Sequence, residues 1–378
     1  CGFGDPLTAR ETRLLLALRA NVLAQGRSGA RPEVAALMLS LRDHEVLPRI
    51  PSRGSVGACG DLAPLAHLAL VLIGEGATLE GAPGGAALQR EGLQALTLEA
   101  KEGLSLLNGT QAMLSVGALA LEDALRLTVW ATRIGAMSLE ALLGTPTAFD
   151  ERIHEVRRHE GQATVARWLR EAMVGSEIRE SHREHDRRVQ DAYALRCMPQ
   201  VHGTVLGMLG YVRQTVENET GAATDNPLVF AETGDILSGG NFHGAPLALA
   251  FDAACMAMVQ LMSICERRME RMVNPDSSEG LPAFLAQHPG LESGLMMLHV
   301  SVAAALNEAR VLSHPACTDN TPTSGGKEDH VSMGMTSALK FRAVVRLAAF
   351  ALASEMIAAG MGIDFRRPLR GGDGEDTL

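Results

Sequence analysis

The sequence predicts a mainly α protein with large apolar faces. Several stretches are rich in Leu and Ala and poor in β-branched residues, a composition that favours helix. Apolar residues in these stretches recur at helical spacing. Residues 245–265 are apolar on nearly every side, as expected for a helix buried inside a bundle. The 378 residues, of which 46% are hydrophobic, suffice for a large core.

The first predicted helix spans residues 7–26. It opens with the capping-box pattern Thr8 to Glu11 and closes at Gly26. The other predicted helices are 61–74, 111–142, 245–272, 293–313 and 335–360. Strand signals are weak, and short hairpins are predicted only around 77–90 and 228–238, where Thr233-Gly234 supplies a turn.

Composition excludes several classes of protein. The chain has 44 acidic and 34 basic residues, a formal net charge of −10, which argues against a nucleic-acid partner. No uncharged apolar run reaches the ~18–20 residues that span a bilayer, so no membrane partner is expected. Without a CxxC pair, the cysteines predict free thiols, no metal site and a reducing cytoplasm. The six cysteines are Cys1, Cys59, Cys197, Cys255, Cys265 and Cys317.

Five polar clusters interrupt the apolar sequence. They are GSVGACGDLAP at 54–64, LNGTQ at 107–111, VQDAYALRC at 189–197, TDNP at 224–227 with SGGNFHG at 238–244, and TSGGKEDHVSMG at 323–334. Taken singly, each is better explained as structure: a tight turn with a buried thiol, a cap, a surface cation–π pair or a polar network. No nucleophile elbow supports a hydrolase.

Together, these motifs in this order resemble the histidine ammonia-lyases, within the aromatic amino acid lyase and aminomutase superfamily. The resemblance covers residues 4–366. It implies a long-helix bundle with a few short peripheral strands. It also implies a small amino acid substrate and a homotetramer whose active sites combine residues from several chains. One catalytic tyrosine of the family, distinct from the tyrosine matched by Tyr193, lies upstream of the matched region. Residues 1–378 are therefore expected to be one lyase unit lacking the family's N-terminal segment and C-terminal tail.

The resemblance also implies a self-made electrophile and no external cofactor. Family members cyclise an Ala-Ser-Gly tripeptide and dehydrate it to a methylidene-imidazolone ring, and the matching residues are Ala58, Cys59 and Gly60. Because Gly60 has no side chain, its nitrogen can reach the Ala58 carbonyl carbon. Cys59 stands where the family has Ser, so elimination here would expel hydrogen sulfide instead of water. An electrophile that captures the substrate amine makes it a better leaving group.

The remaining site residues are assigned by the same resemblance. Tyr193 matches a catalytic tyrosine, and Arg196 matches the guanidinium that clamps the substrate carboxylate. Glu328 stands where histidine lyases have a Glu that can accept from an imidazole N–H. Lys327 replaces the usual Gln before it and is expected at the surface. The other matches are Asn108 and Gln190 as contacts to substrate or ring, Phe242 beside the ring, and Asp225 and Asn226 as supports.

The first hypothesis is therefore elimination of ammonia from L-histidine to give trans-urocanate. A related phenylalanine or tyrosine lyase or aminomutase is an alternative, and a mutase would be told apart by its β-amino acid product. A catalytically silent helical homo-oligomer is the third hypothesis. The joint presence of Asn108, Arg196 and Glu328 favours catalysis, because a silent protein has no need of a carboxylate clamp.

Overall fold

A computed structural model describes residues 1–184, 186 and 188–373. It confirms a mainly α protein with only short strands. The α-helices are α1 (Ala9–Ala24), α2 (Pro32–Asp43), α3 (Leu62–Leu72), α4 (Gly84–Arg90), α5 (Glu102–Leu107), α6 (Gln111–Ala141), α7 (Glu151–Glu155), α8 (Glu160–Ala172), α9 (Glu177–Ser181), α10 (Tyr193–Arg196), α11 (Met198–Thr220), α12 (Ala245–Val273), α13 (Met296–Leu312) and α14 (Gly334–Asp364). The strands are β1 (Phe3–Pro6), β2 (Pro51–Arg53), β3 (Leu228–Phe230) and β4 (Asp235–Leu237).

Helix α1 begins where its capping box predicts. The Thr8 hydroxyl accepts a hydrogen bond from the Glu11 amide at 3.3 Å, and the Glu11 carboxylate accepts from the Thr8 amide at 2.8 Å. The two side chains thus satisfy amides that have no partner within the helix. The inner face of α1 buries leucines together with one cation, Arg19.

The chain forms two compact units. Unit 1 comprises Cys1–Leu121, Tyr211–Ala253 and Pro315–Arg342, and unit 2 comprises Glu122–Gly210, Ala254–His314 and Ala343–Leu378. The expectation that residues 1–378 form a single lyase unit stays a prediction.

The core of unit 1 is closed by aromatic packing over a glycine. The rings of Phe251 and Phe341 stack with their centroids 6.0 Å apart. A Cβ atom at Gly117 would overlap the Phe251 ring, so only glycine lets α6 approach it. Nearby, Asp252 accepts hydrogen bonds from Lys340 at 2.6 Å and Ser337 at 3.0 Å, so this buried carboxylate is paired.

The core of unit 2 contains a buried ion pair. The Arg268 guanidinium donates to the Glu355 carboxylate at 2.5 and 2.9 Å, and both side chains are inaccessible to solvent. Ser138 donates to the same carboxylate at 2.6 Å. Three donors from α6 and α12 therefore hold one carboxylate on α14, which is the condition for tolerating a charge in a dry core.

The hairpin predicted at 228–238 is confirmed, since β3 and β4 pair antiparallel with Gly234 at φ +76° in the turn. The hairpin predicted at 77–90 is found only over residues 77–83, where Ala77 and Pro83 form an isolated antiparallel bridge and the Thr78 amide donates to the Ala82 carbonyl at 2.9 Å. The rest of the predicted range is helix α4, and the Leu79 amide donates outside the turn, to Leu47 at 2.8 Å. The sequence analysis also missed the small sheet of β1 and β2, which is antiparallel.

Two helices, α12 and α14, are long and apolar enough to cross a bilayer on length and composition alone. In the most apolar window of each, 78% of α12 and 50% of α14 is buried within the protein. Core helices of globular proteins meet the same criteria, so these two carry little weight as membrane spans.

Candidate active site

The Gly-rich loop before α3 is built without room for side chains at two glycines. Gly60 has φ +73° and pairs with Gly109 in an isolated parallel bridge, where a Cβ atom would overlap the Gly109 carbonyl. Gly57 has φ +70°, and a Cβ atom there would overlap the Ser332 hydroxyl. Between them lie a buried Ala58 and a half-buried Cys59. This loop is therefore fixed by direct backbone packing on both sides of the Ala58-Cys59-Gly60 tripeptide.

Two distant segments of unit 1 meet this loop at Gly57. The Ser332 hydroxyl donates to the Gly57 carbonyl at 3.0 Å, and the Gly244 amide donates to it at 3.3 Å. The Met333 amide donates to Val56 at 2.8 Å. Three of the sequence motifs, at 54–64, 238–244 and 323–334, are thus brought together in one unit.

The carboxylate of Glu328 faces the Cys59 thiol, which donates a hydrogen bond to it. Burial, followed by this carboxylate, raises the pKa of Cys59 to about 11, so the thiol stays protonated at neutral pH. Donation from Thr323 at 2.5 Å, then from Cys59, and then from Ser324 at 2.7 Å lowers the pKa of Glu328. Glu328 is thus an ionised acceptor next to the tripeptide, whereas Lys327 is exposed, as expected.

A buried acceptor next to Gly109 has no partner. Among the described residues, nothing donates to Asn108 Oδ1, although the side chain is buried. An unpaired buried amide oxygen costs about 1–3 kcal/mol unless something else binds it. The close packing at Gly57 and Gly60 and the half-buried Cys59 are compatible with a ring formed from residues 58–60. The unpaired Asn108 Oδ1 is compatible with a hydrogen-bond donor presented by a substrate.

Asp61 anchors the end of the tripeptide to α6. Its carboxylate accepts from the Met113 amide at 2.7 Å and from Ser55 at 2.8 Å, and its own amide donates to Gly109 at 2.7 Å. Burial raises the pKa of Asp61 to about 6 against the lowering effect of these hydrogen bonds. The loop is consequently tied to the start of a long helix.

The predicted supporting residues hold the loop that carries Phe242. Asp225 is buried and pairs with Lys101 at 3.0 Å, and it accepts from the Asn226 amide at 2.7 Å. The Asn226 side chain in turn accepts from the Gly239 amide at 2.7 Å. Phe242 follows in the same loop and is partly exposed.

The other predicted site residues form a second group, in unit 2. The Arg196 guanidinium lies 4.6 Å from the centroid of the Tyr193 ring and donates to Gln190 Oε1 at 2.7 Å. Arg196 thus contacts both Tyr193 and Gln190, and in the part of the chain that the structure describes its Nε is a buried donor without a partner.

The short helix α10, which carries Tyr193 and Arg196, is held in place by a buried arginine. The buried Arg268 donates to the Ala194 carbonyl at 3.5 Å and contacts His202 Nε2 at the same distance. Because arginine only donates, His202 accepts at Nε2 and donates from Nδ1 to Thr132 at 3.0 Å. Desolvation lowers the pKa of His202 well below its ordinary value, so this imidazole is neutral.

Sequence analysis missed residues that shape both groups. Thr323 and Ser324 orient Glu328, and Arg268 supports α10. His243 and His330 stack with centroids 5.8 Å apart. The sequence offered no signal for Arg268, which lies in the charged stretch ERRMER at residues 266–271 of α12. In the described residues, no group of three or more His, Cys, Asp or Glu could hold a metal ion.

The family model of the aromatic amino acid lyases matches residues 1–378. Histidine ammonia-lyase of Myxococcus xanthus (strain DK1622) is 54% identical over 99% of this chain and 74% of its own length. The crystal structure of histidine ammonia-lyase from Trypanosoma cruzi has a TM-score of 0.92 at 42% identity, over 100% of this chain and 72% of that one. Tyrosine aminomutase from Streptomyces globisporus has a TM-score of 0.92 at 36% identity, over 98% and 74%.

The fold and the curated relatives together define a carbon–nitrogen lyase. The chain belongs to the aromatic amino acid lyase family.

Proposed function

We propose that this enzyme eliminates ammonia from L-histidine to give trans-urocanate. The observation that carries the proposal is the ionised Glu328 carboxylate beside Cys59, since an imidazole N–H is a fitting donor to it. Relatives named histidine ammonia-lyase at 54% and 52% identity support the same substrate.

We further propose that Ala58, Cys59 and Gly60 form a methylidene-imidazolone ring, with no external cofactor. The Gly60 nitrogen bonds to the Ala58 carbonyl carbon. The Ala58 oxygen then departs as water, taking the protons of the Gly60 and Cys59 nitrogens, and a C=N bond forms between the Ala58 carbon and the Cys59 nitrogen. Cys59 then loses its Cα proton and its thiol as hydrogen sulfide, which creates the exocyclic C=C bond. Once formed, the ring supplies a carbon electrophile for the substrate amine.

The roles of this chain's side chains follow from their contacts. Glu328 accepts from the substrate imidazole, and the unpaired Asn108 Oδ1 accepts from the substrate ammonium. Phe242 packs beside the ring, and Asp225 and Asn226 hold its loop.

The second group, in unit 2, binds the other end of the substrate. Arg196 clamps the substrate carboxylate and Gln190 orients that guanidinium, to which it is hydrogen-bonded at 2.7 Å. Tyr193 serves in proton transfer at the reacting carbons. We propose a cytoplasmic homotetramer in which several copies contribute residues to each active site, so that both groups act in one site.

The test combines intact mass with a histidine assay on the purified protein. We expect a mass lower than the encoded chain by one water and one hydrogen sulfide, together with production of urocanate from L-histidine. Cys59→Ala is the matched control, because alanine has no leaving group. An unchanged mass with a titratable thiol at Cys59 would contradict the proposal. With L-phenylalanine and L-tyrosine as substrates, formation of a cinnamate or β-amino acid product in place of urocanate would overturn the substrate assignment.

A further inference from the structure

A fully buried cation lies beneath the tripeptide. Arg19, on α1, donates through Nη1 to Gln111 Oε1 at 2.7 Å and through Nη2 to the Ser105 carbonyl. Among the described residues, no carboxylate lies at ion-pair distance from it, and its Nε has no partner. Burial lowers the pKa of Arg19 to about 10 against the raising effect of the nearby Asp225 carboxylate, so Arg19 is still protonated at neutral pH. A buried charge with no carboxylate in direct contact is costly, so a purely packing role would be better filled by an apolar side chain.

The guanidinium is separated from the tripeptide by one residue. A Cβ atom at Gly109 would overlap Arg19 Nη1 and Gln111 Oε1, and it would lie 2.7 Å from the Thr224 carbonyl oxygen. On the opposite side, a Cβ atom at Gly60 would overlap the Gly109 carbonyl. The three groups therefore form a stack in which the guanidinium backs the Gly109 peptide and the Gly109 peptide backs Gly60.

The hydrogen bonds of Arg19 bridge the turn in which Gly109 lies. Ser105 is in α5 and Gln111 is the first residue of α6, so one planar donor group holds both ends of the 105–111 turn. The amide of Gln111 is fixed again at its nitrogen, which donates to Thr224 at 2.5 Å. Neither end of the turn can move away from Gly60 without breaking one of these bonds.

We propose that Arg19 is a positioning residue for ring closure, holding the Gly109 turn against Gly60 so that the Gly60 backbone is confined. The inference rests on the proposed ring formation from Ala58, Cys59 and Gly60. The bond it promotes is the one between the Gly60 nitrogen and the Ala58 carbonyl carbon. Arg19 does not touch the reacting atoms but acts through Gly109.

The test follows the mass of the intact protein at intervals after cell-free synthesis, which reads ring formation without measuring lyase activity. Arg19→Met is expected to lose water and hydrogen sulfide at least about tenfold more slowly than wild type, since small misplacements of reacting atoms are costly. Arg19→Lys keeps the charge but not the planar fork, and it is expected to be intermediate. Leu16→Ala, on the same helix and equally buried, is the control for lost stability and is expected to mature at the wild-type rate.

A second pair of variants covers the case in which Arg19→Met does not fold. Gln111→Glu retains an acceptor for Nη1 and should mature normally, whereas Gln111→Leu removes the acceptor and should mature slowly. If wild type forms the ring and Arg19→Met matures at the same rate, Arg19 has no positioning role, although the proposed ring stands. Where Arg19→Met is unfolded, normal maturation of Gln111→Leu would have the same meaning. Absence of mass loss in wild type would overturn the proposed ring itself and this inference with it.

Discussion

Replacement of Arg268 by methionine should destabilise unit 2 strongly, and most of the loss should be recovered by removing its partner as well. Arg268→Met deletes two charge-assisted hydrogen bonds and leaves the buried Glu355 with neutral donors, the Ser138 hydroxyl and the Cys265 thiol. Breaking a buried pair in this way costs about 3–5 kcal/mol. The double variant Arg268→Met/Glu355→Leu removes both charges, and its free energy of unfolding should lie within about 1–3 kcal/mol of wild type. This remaining loss reflects the Ala194 carbonyl and His202 Nε2, which lose the hydrogen bonds that Arg268 donates.

Urea unfolding followed by tryptophan fluorescence is the assay, since Trp130 and Trp168 both belong to unit 2. The double-mutant cycle is completed by Glu355→Leu alone. Ser138→Ala, which removes a donor without touching α10, is the control and should cost about 1.5–3 kcal/mol. Additive effects of the two single substitutions would refute the reasoning, because a coupled pair must show a large interaction free energy.

Three further predictions concern the site itself. Cys59→Ser should mature with loss of two waters instead of one water and one hydrogen sulfide and keep lyase activity, and intact mass checks this; retention of both waters would contradict it. Glu328→Gln should lower kcat/KM for L-histidine about 10–100-fold by removing a charge-assisted hydrogen bond, whereas Lys327→Gln, at an exposed neighbour, should not, as steady-state assays of both variants would show. Because the pKa of Asp61 is raised to about 6 in the folded protein, its contribution to the free energy of unfolding should fall by about 3 kcal/mol as pH rises from about 4 to about 6, and Asp61→Asn should show a flatter pH dependence of the urea midpoint.

The local features of this fold could be predicted from the sequence, because the signals that specify them lie within a few residues. The capping box at Thr8 and the turn at Gly234 are examples, and both are observed. At 77–90 the same kind of local signal holds only in part. The predicted turn is present at 77–83, but residues 77–79 also pair with 47–49 and helix α4 begins at Gly84, so the hairpin does not extend to residue 90.

The meeting of the polar motifs at Gly57 and Gly109 could be expected only through the resemblance to a family. No spacing in the sequence relates Gly57 to Ser332, although the Ser332 hydroxyl donates to the Gly57 carbonyl in the folded unit. Arg19 and Arg268 were missed for a related reason. Arg19 stands in the apolar run LLLALRANVL and Arg268 in the charged run ERRMER, and in both cases the acceptors that make burial tolerable come from elements far away along the chain.

Under the proposed ring formation, Cys59 makes the number of matured chains measurable. A serine at that position would release water, which is invisible in water, whereas the thiol would depart as a sulfide that a chemical probe can capture. Each chain can emit it once, because the reaction consumes the side chain that supplies it. In a translation mixture, the sulfide released in excess of a Cys59→Ala control would therefore equal the number of chains whose ring has formed, independent of whether any substrate has yet been turned over.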